Sequence, residues 1–141
     1  MRTPFHLWIV GILTLLWNAG GAYDYLMTRT GNAAYLAQMP PEVLAMREAT
    51  PLWAGVGWGF GVWLSVLGSL LLLLRSRLAG PSYLISLVGL IVTGFWTYGT
   101  GRTMAPEVME TGSLIFSVAI ALGLVLQWLY ARAMTARGVL R

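Results

Sequence analysis

Asp24 places a carboxylate near the end of an apolar run that begins at Phe5, and Asn18 places an amide inside that run. Polar and ionisable groups are expensive in hydrocarbon, so each needs a partner, water or a ligand. Three kinds of chemistry suit the pair: an ion pair that fixes a helix end, a proton or cation site, or hydrogen bonds to a bound molecule. Trp17 and Tyr25 stand beside them in the segment Leu16-Trp17-Asn18-Ala19-Gly20-Gly21-Ala22-Tyr23-Asp24-Tyr25. On a helix, Asn18 and Tyr25 share one face. Asp24 points roughly 120° away from Asn18, so spacing alone does not make the three one ligating set. The arginines nearest Asp24 in this reading are Arg29, just past the first run, and Arg102, at the end of the third. Arg102 therefore joins Trp17, Asn18, Asp24 and Tyr25 as a ligand or ion candidate.

The remaining reactive groups are sparse. Glu107 and Glu110 follow Pro106 and suit the first turn of a helix, where acids meet the positive end of the dipole. Paired-carboxylate catalysis would need an opposing acid and a cleft. His6, the lone histidine, belongs to the opposite membrane side from all five acids, which argues against a Ser-His-Asp set. A bis-histidine haem is excluded within one chain. With no cysteine, disulfide, thiolate and cysteine–metal chemistry are excluded. The run Gly55-Val56-Gly57-Trp58-Gly59-Phe60-Gly61 lacks a preceding strand and a Lys-Ser/Thr end, which argues against a phosphate loop. The expectation is a protein that is not an enzyme and has neither cofactor nor metal.

The elements that position these residues follow from composition. The chain has 141 residues, 57% hydrophobic and 10% charged, with a mean hydropathy of +0.71. Soluble domains are about a quarter charged, so this is a membrane composition. Four apolar segments, 5–27, 52–74, 83–99 and 114–134, are each long enough to cross a bilayer, the third being the shortest. The expected fold is all-α: a four-helix transmembrane bundle forming a single domain. The first run is expected to be retained, since no A-x-A-like cleavage site follows a short apolar core. Arg2, Arg75, Arg77, Arg132, Arg137 and Arg141 fall on one side of the spans. Arg29, Arg47 and Arg102 fall on the other, with Asp24, Glu42, Glu48, Glu107 and Glu110. The positive-inside rule then places both termini in the cytoplasm. The net charge of +4 reads as topology and not as a nucleic-acid surface.

Between the first two spans, Pro40-Pro41-Glu42 is a helix start, and Val43, Met46 and Ala49 recur at helical spacing until Pro51. This predicts a short amphipathic helix on the outer face or capping the bundle. Lipid gives helices no hydrophobic reason to associate, so small residues and buried hydrogen bonds must hold them together. Gly21 on the first span, Gly57, Gly61, Ser65 and Gly68 on the second, and Gly89 on the third are the expected packing positions. A small-residue stripe on every span also suits a membrane-protein partner or a homo-oligomer. Trp8, Trp53 and Trp128 are placed as interfacial anchors. Trp17, Trp58, Trp63 and Trp96 sit deeper, for packing, lipid contact or an aromatic wall around an apolar or sugar-like ligand.

The motif Leu16-Trp17-Asn18…Gly20/Gly21…Asp24-Tyr25, with Met27-Thr28, Ala34-Tyr35-Leu36, Pro51-Leu52-Trp53, Gly61-Val62-Trp63…Gly68…Leu70–Arg75 and Ser86-Leu87…Gly89, resembles an uncharacterised family of small bacterial inner-membrane proteins often labelled "sugar transporter". The resemblance covers roughly residues 10 to 95. It implies four helical spans, an outward amphipathic loop and the bacterial cytoplasmic membrane, with Trp17, Asn18, Gly21, Asp24 and Tyr25 as the motif positions. Two functions are expected. The first is a non-enzymatic accessory or regulatory subunit packing with other membrane proteins among membrane lipids. The second is an oligomeric small-solute, sugar-like carrier or channel, against which the absence of an internal repeat counts.

Overall fold

In lipid, a chain can satisfy every backbone polar group locally only as a helix, and the four apolar runs do so. The computed structural model describes residues 2–141. In chain order the helices are α1 (Phe5–Arg29), α2 (Ala33–Leu36), α3 (Pro41–Glu48), α4 (Leu52–Leu73), α5 (Ala79–Trp96), α6 (Arg102–Met104) and α7 (Thr111–Ala136). A π-helical stretch, Thr97–Gly101, joins α5 to α6, and a 3-10 turn, Pro106–Met109, precedes α7. Four segments are long and apolar enough to cross a membrane. The protein is therefore an all-helical, multi-pass membrane bundle.

The third span corrects the expected lengths. It runs from Ala79 to Met104, 26 residues, and is as long as the fourth. Hydropathy ends where polar residues begin, but a helix does not. Pro81 sits in the first turn of α5, where its missing N–H leaves no bond broken. At the other end, Thr97–Gly101 continues the helical path despite its glycines and threonines.

The spans pack in chain order round the bundle: α1 on α4, α4 on α5, α5 on α7. The tightest seam is between α4 and α5. A Cβ on Gly89 would lie 2.5 Å from the Gly57 carbonyl oxygen and 2.7 Å from the Gly61 nitrogen, so the backbones touch there. Hydroxyls tie the same seam: Ser82 donates to the Leu64 carbonyl at 2.7 Å and Thr93 to the Ala54 carbonyl at 2.9 Å, while Ser86 donates to that of Gly61. Gly68 accepts the ring of Tyr83 against its face. Four of the expected packing glycines thus act within the bundle. Gly21 does not, since it is exposed and its nearest non-local neighbour, a methyl of Val62, is 4.0 Å from a built Cβ.

The core lies at the end of the bundle that carries the termini. Leu7, Leu72, Tyr83, Leu124, Ala131, Met134, Val139 and Leu140 are buried together there. Val139 and Leu140 reach it because Gly138 takes φ +69° and turns the chain back after α7. The tail is then clasped by backbone bonds, Arg77 N–H to Arg141 O at 3.1 Å and Arg141 N–H to Arg75 O at 2.8 Å. The α1–α7 seam is joined near this end by side chains, with His6 Nδ1 against the Tyr130 hydroxyl and Asn18 against Gln127.

Candidate functional site

Asn18 is buried in the middle of the bundle. Its amide nitrogen donates towards Gln127 Oε1 at 2.8 Å, Ser69 Oγ at 3.0 Å and the Ser65 carbonyl at 3.1 Å. Two hydrogens therefore serve three acceptors, and α1 is tied to α4 and α7 at one level. The network continues to α5. Ser69 donates to Thr14 at 3.1 Å, which spends its only hydrogen, so the Tyr83 hydroxyl at 2.9 Å is the donor to Ser69. Below this level the apolar core fills the interior.

Above it the helices separate. A deep chamber of about 640 Å³ is lined by Leu16, Trp17, Asn18, Gly20, Gly21 and Asp24 of α1, by Trp58, Gly61, Val62 and Ser65 of α4, by Leu90 and Thr93 of α5, and by Phe116, Ile120 and Leu124 of α7. Tyr35 and Arg47 complete it from the loop. A second chamber of about 590 Å³, the vestibule, lies towards the loops and shares Asp24, Arg47, Trp58, Thr93 and Phe116 with the first. Its other walls include Met46 and Thr50 from the first loop, Trp96, Thr97 and Tyr98 from the third span, and Glu107, Glu110 and Ser113 before and at the start of α7.

Asp24 stands where the chambers meet. Its partner is Arg47 of α3, at 3.3 Å, and not Arg29 or Arg102 as the sequence reading placed it. The cause is the loop fold. Met46 is buried against Gly101, which seats α3 over the helix ends and swings Arg47 inward. Arg47 also donates to Thr28 at 3.0 Å and lies over the Trp58 ring, 5.2 Å from its centroid. Arg29 lies over the rings of Tyr25 and Trp58 instead. Tyr35 donates to Asp24 Oδ1 at 2.6 Å. That bond, with burial and the carboxylate charge behind it, pushes the Tyr35 phenol up to about 12.

The other candidates divide. Asn18, Asp24 and Trp17 line one chamber, although Asn18 and Asp24 point differently from α1, because the chamber wraps round that helix. Tyr25 faces α4, as Asn18 does, but packs on Trp58, Trp63 and Gly59 outside both chambers. Arg102 is exposed, lines neither chamber and has no hydrogen-bond partner among the described residues. Glu107 and Glu110 come before the helix they were expected to begin. Glu107 lies in the 3-10 turn and Glu110 is the cap residue of α7. Arg47, Tyr35, Thr93 and Gln127 are not among the ligand candidates of the sequence reading, and Trp96 enters it only as one of four deeper indoles. Gln127 had a signal: an amide in the middle of the fourth apolar run needs a partner as Asn18 does.

Two residues that line the vestibule each carry a buried polar atom with no partner among the described residues, the indole Nε1 of Trp96 and Oε2 of Glu107. Such atoms are rare in folded proteins, and each asks for an explanation. No family model, curated protein or solved structure matches this chain.

Proposed function

We propose that this protein is a non-enzymatic accessory subunit of a bacterial cytoplasmic membrane, holding a small ligand in its two-chambered cavity and packing with a larger membrane protein. The observation that carries this reading is the shape of the cavity. It is roomy towards the loops and ends at the Asn18–Gln127 level on a filled core. A blind, largely apolar pocket with a few convergent polar groups suits binding more than passage. Its combined lining holds an ion pair, hydroxyls and indoles, a set suited to recognition. The arginine distribution supports cytoplasmic termini and a cavity facing outward.

The test is a mild-detergent pull-down of N-terminally tagged protein from native membranes, with mass analysis of the intact assembly and of its extracted small molecules. The expected result is a stoichiometric larger complex with a retained ligand. A homo-oligomer without partner would replace this reading with a carrier. One feature favours that second reading: the π-helical stretch Thr97–Gly101 borders the vestibule, and such stretches often mark functional sites in helices. A carrier would lose uptake on Asp24→Asn.

A further inference from the structure

The two chambers differ in what they ask of a ligand, and they are continuous. The deep chamber is mostly apolar, and residues on its rim are also open to the outside of the bundle. Leu16 is 66% exposed, Trp17 49% and Phe116 59%, while Gly20 and Gly21 leave the α1 side without side chains. These residues border the α1–α7 seam, where side-chain bonds close the part from Asn18 towards the termini and the rings of Trp17 and Phe116 meet across the part above, 6.2 Å between centroids. The chamber thus meets the level of the bilayer behind two apolar rings, which a hydrocarbon chain can part and a polar solute cannot.

The vestibule asks for the opposite. Two residues of its wall carry buried polar atoms without a partner among the described residues, the donor Trp96 Nε1 and the acceptor Glu107 Oε2, which a ligand meets as those side chains turn towards it. An ammonium group cannot accept from the indole, and a phosphate or carboxylate cannot donate to the glutamate. A hydroxyl can do both. The charges tell against an anion only. Arg47 is already neutralised by Asp24, and Glu107 and Glu110 add negative charge to the walls, so an anionic head is repelled. Trp58 and Trp96 add ring surface beside the polar groups.

We infer that the cavity takes a membrane amphiphile with a neutral, polyhydroxylated head, seated with the head in the vestibule and the chain leaving between α1 and α7, past Trp17 and Phe116. This deepens the ligand-holding role proposed above and rests on it. Asp24, Arg47 and Thr93, at the junction of the chambers, meet the linkage between head and chain.

The experiment uses three probes with one chain and three heads: dodecyl maltoside, dodecyl phosphate and dodecyltrimethylammonium. The full-length protein is reconstituted in phospholipid nanodiscs, and saturable retention of each probe is measured by native mass analysis. Dodecyl maltoside is expected to be held roughly tenfold or more tightly than either charged probe. Gly21→Leu and Ile120→Trp fill the deep chamber from opposite helices, and each should abolish retention. Gly21 has open space around it, so its variant keeps the fold even if Ile120→Trp does not. Trp96→Phe removes the free donor and should weaken dodecyl maltoside roughly fivefold while leaving dodecyltrimethylammonium, which cannot accept from an indole, unchanged. Equal or tighter retention of a charged probe overturns the inference, as does maltoside retention indifferent to Gly21→Leu. If native membranes yield a charged lipid displaced by Gly21→Leu, the head-group assignment falls and the ligand-holding role stands. If no molecule, probe or native, responds to either filled chamber, both fall.

Discussion

Asp24 is held by a charge and a hydroxyl, and the two contributions separate in measurement. Asp24→Asn keeps an acceptor for Tyr35 but removes the charge facing Arg47. The paired side chains are 25% and 31% exposed, so the loss should be modest, about 1 kcal/mol in detergent thermal or denaturant unfolding. The phenol of Tyr35 gives a sharper reading. Its pKa is raised in the folded state, so the bond contributes fully below pH 10, the usual phenol value, and is lost as pH rises through about 12. Ultraviolet titration should show one late-ionising tyrosine return towards the usual phenol value on Asp24→Asn. Asn18 carries a different weight. Asn18→Leu leaves Gln127, Ser69 and the Ser65 carbonyl short of a donor, with an expected loss of about 1–2 kcal/mol. A double-mutant cycle with Gln127→Leu should show coupling, and strict additivity would sink the shared network. These two residues could be picked out in the sequence because a polar group in an apolar run stands out by type alone. Arg47 could not, because an arginine in a loop looks solvated until the loop's fold is known.

At the scale of elements, the α4–α5 seam is the part that tolerates least. Gly89→Ala drives a methyl into the backbone of Gly57 and Gly61, where nothing flexible can move aside. A loss of about 1–3 kcal/mol is expected, against almost none for Gly20→Ala, whose added methyl meets open space. Unfolding of the two variants side by side checks the contrast. The spans themselves were legible, since four long apolar runs leave little choice in lipid. Their ends were not. The third span was read as the shortest because residues 79–82 and 100–104 look like loop by composition, whereas the backbone is helical through both. The small-residue stripes were legible as packing surfaces, but periodicity could not say which faces meet. Gly21 belongs by type to a packing stripe and by position to a chamber wall.

The whole molecule is asymmetric, with a core-filled half near the termini, grooved on its outer face between α5 and α7, and a hollow half near the loops. Orientation is open to a direct check because the chain has no cysteine. A cysteine placed at Ser76 should react with an impermeant maleimide only after the cytoplasmic side is exposed, and one at Gln38 should react in intact spheroplasts. The reverse pattern would turn the cavity inward. The filled half depends on the tail. Removing Val139 to Arg141 strips two buried side chains and both backbone clasps, with an expected loss of several kcal/mol and faster proteolysis near α1.

That clasp also sets an order of events during synthesis. Leu7, made long before Leu140, belongs to the same buried cluster. Membrane proteins insert span by span as they leave the ribosome, but this cluster cannot close until translation has passed residue 140. The first helix must therefore wait in the bilayer with part of its final contact surface uncovered. A chaperone or lipid that shields the flank of α1 in that interval acts on a half-made molecule, at a surface the finished one no longer shows.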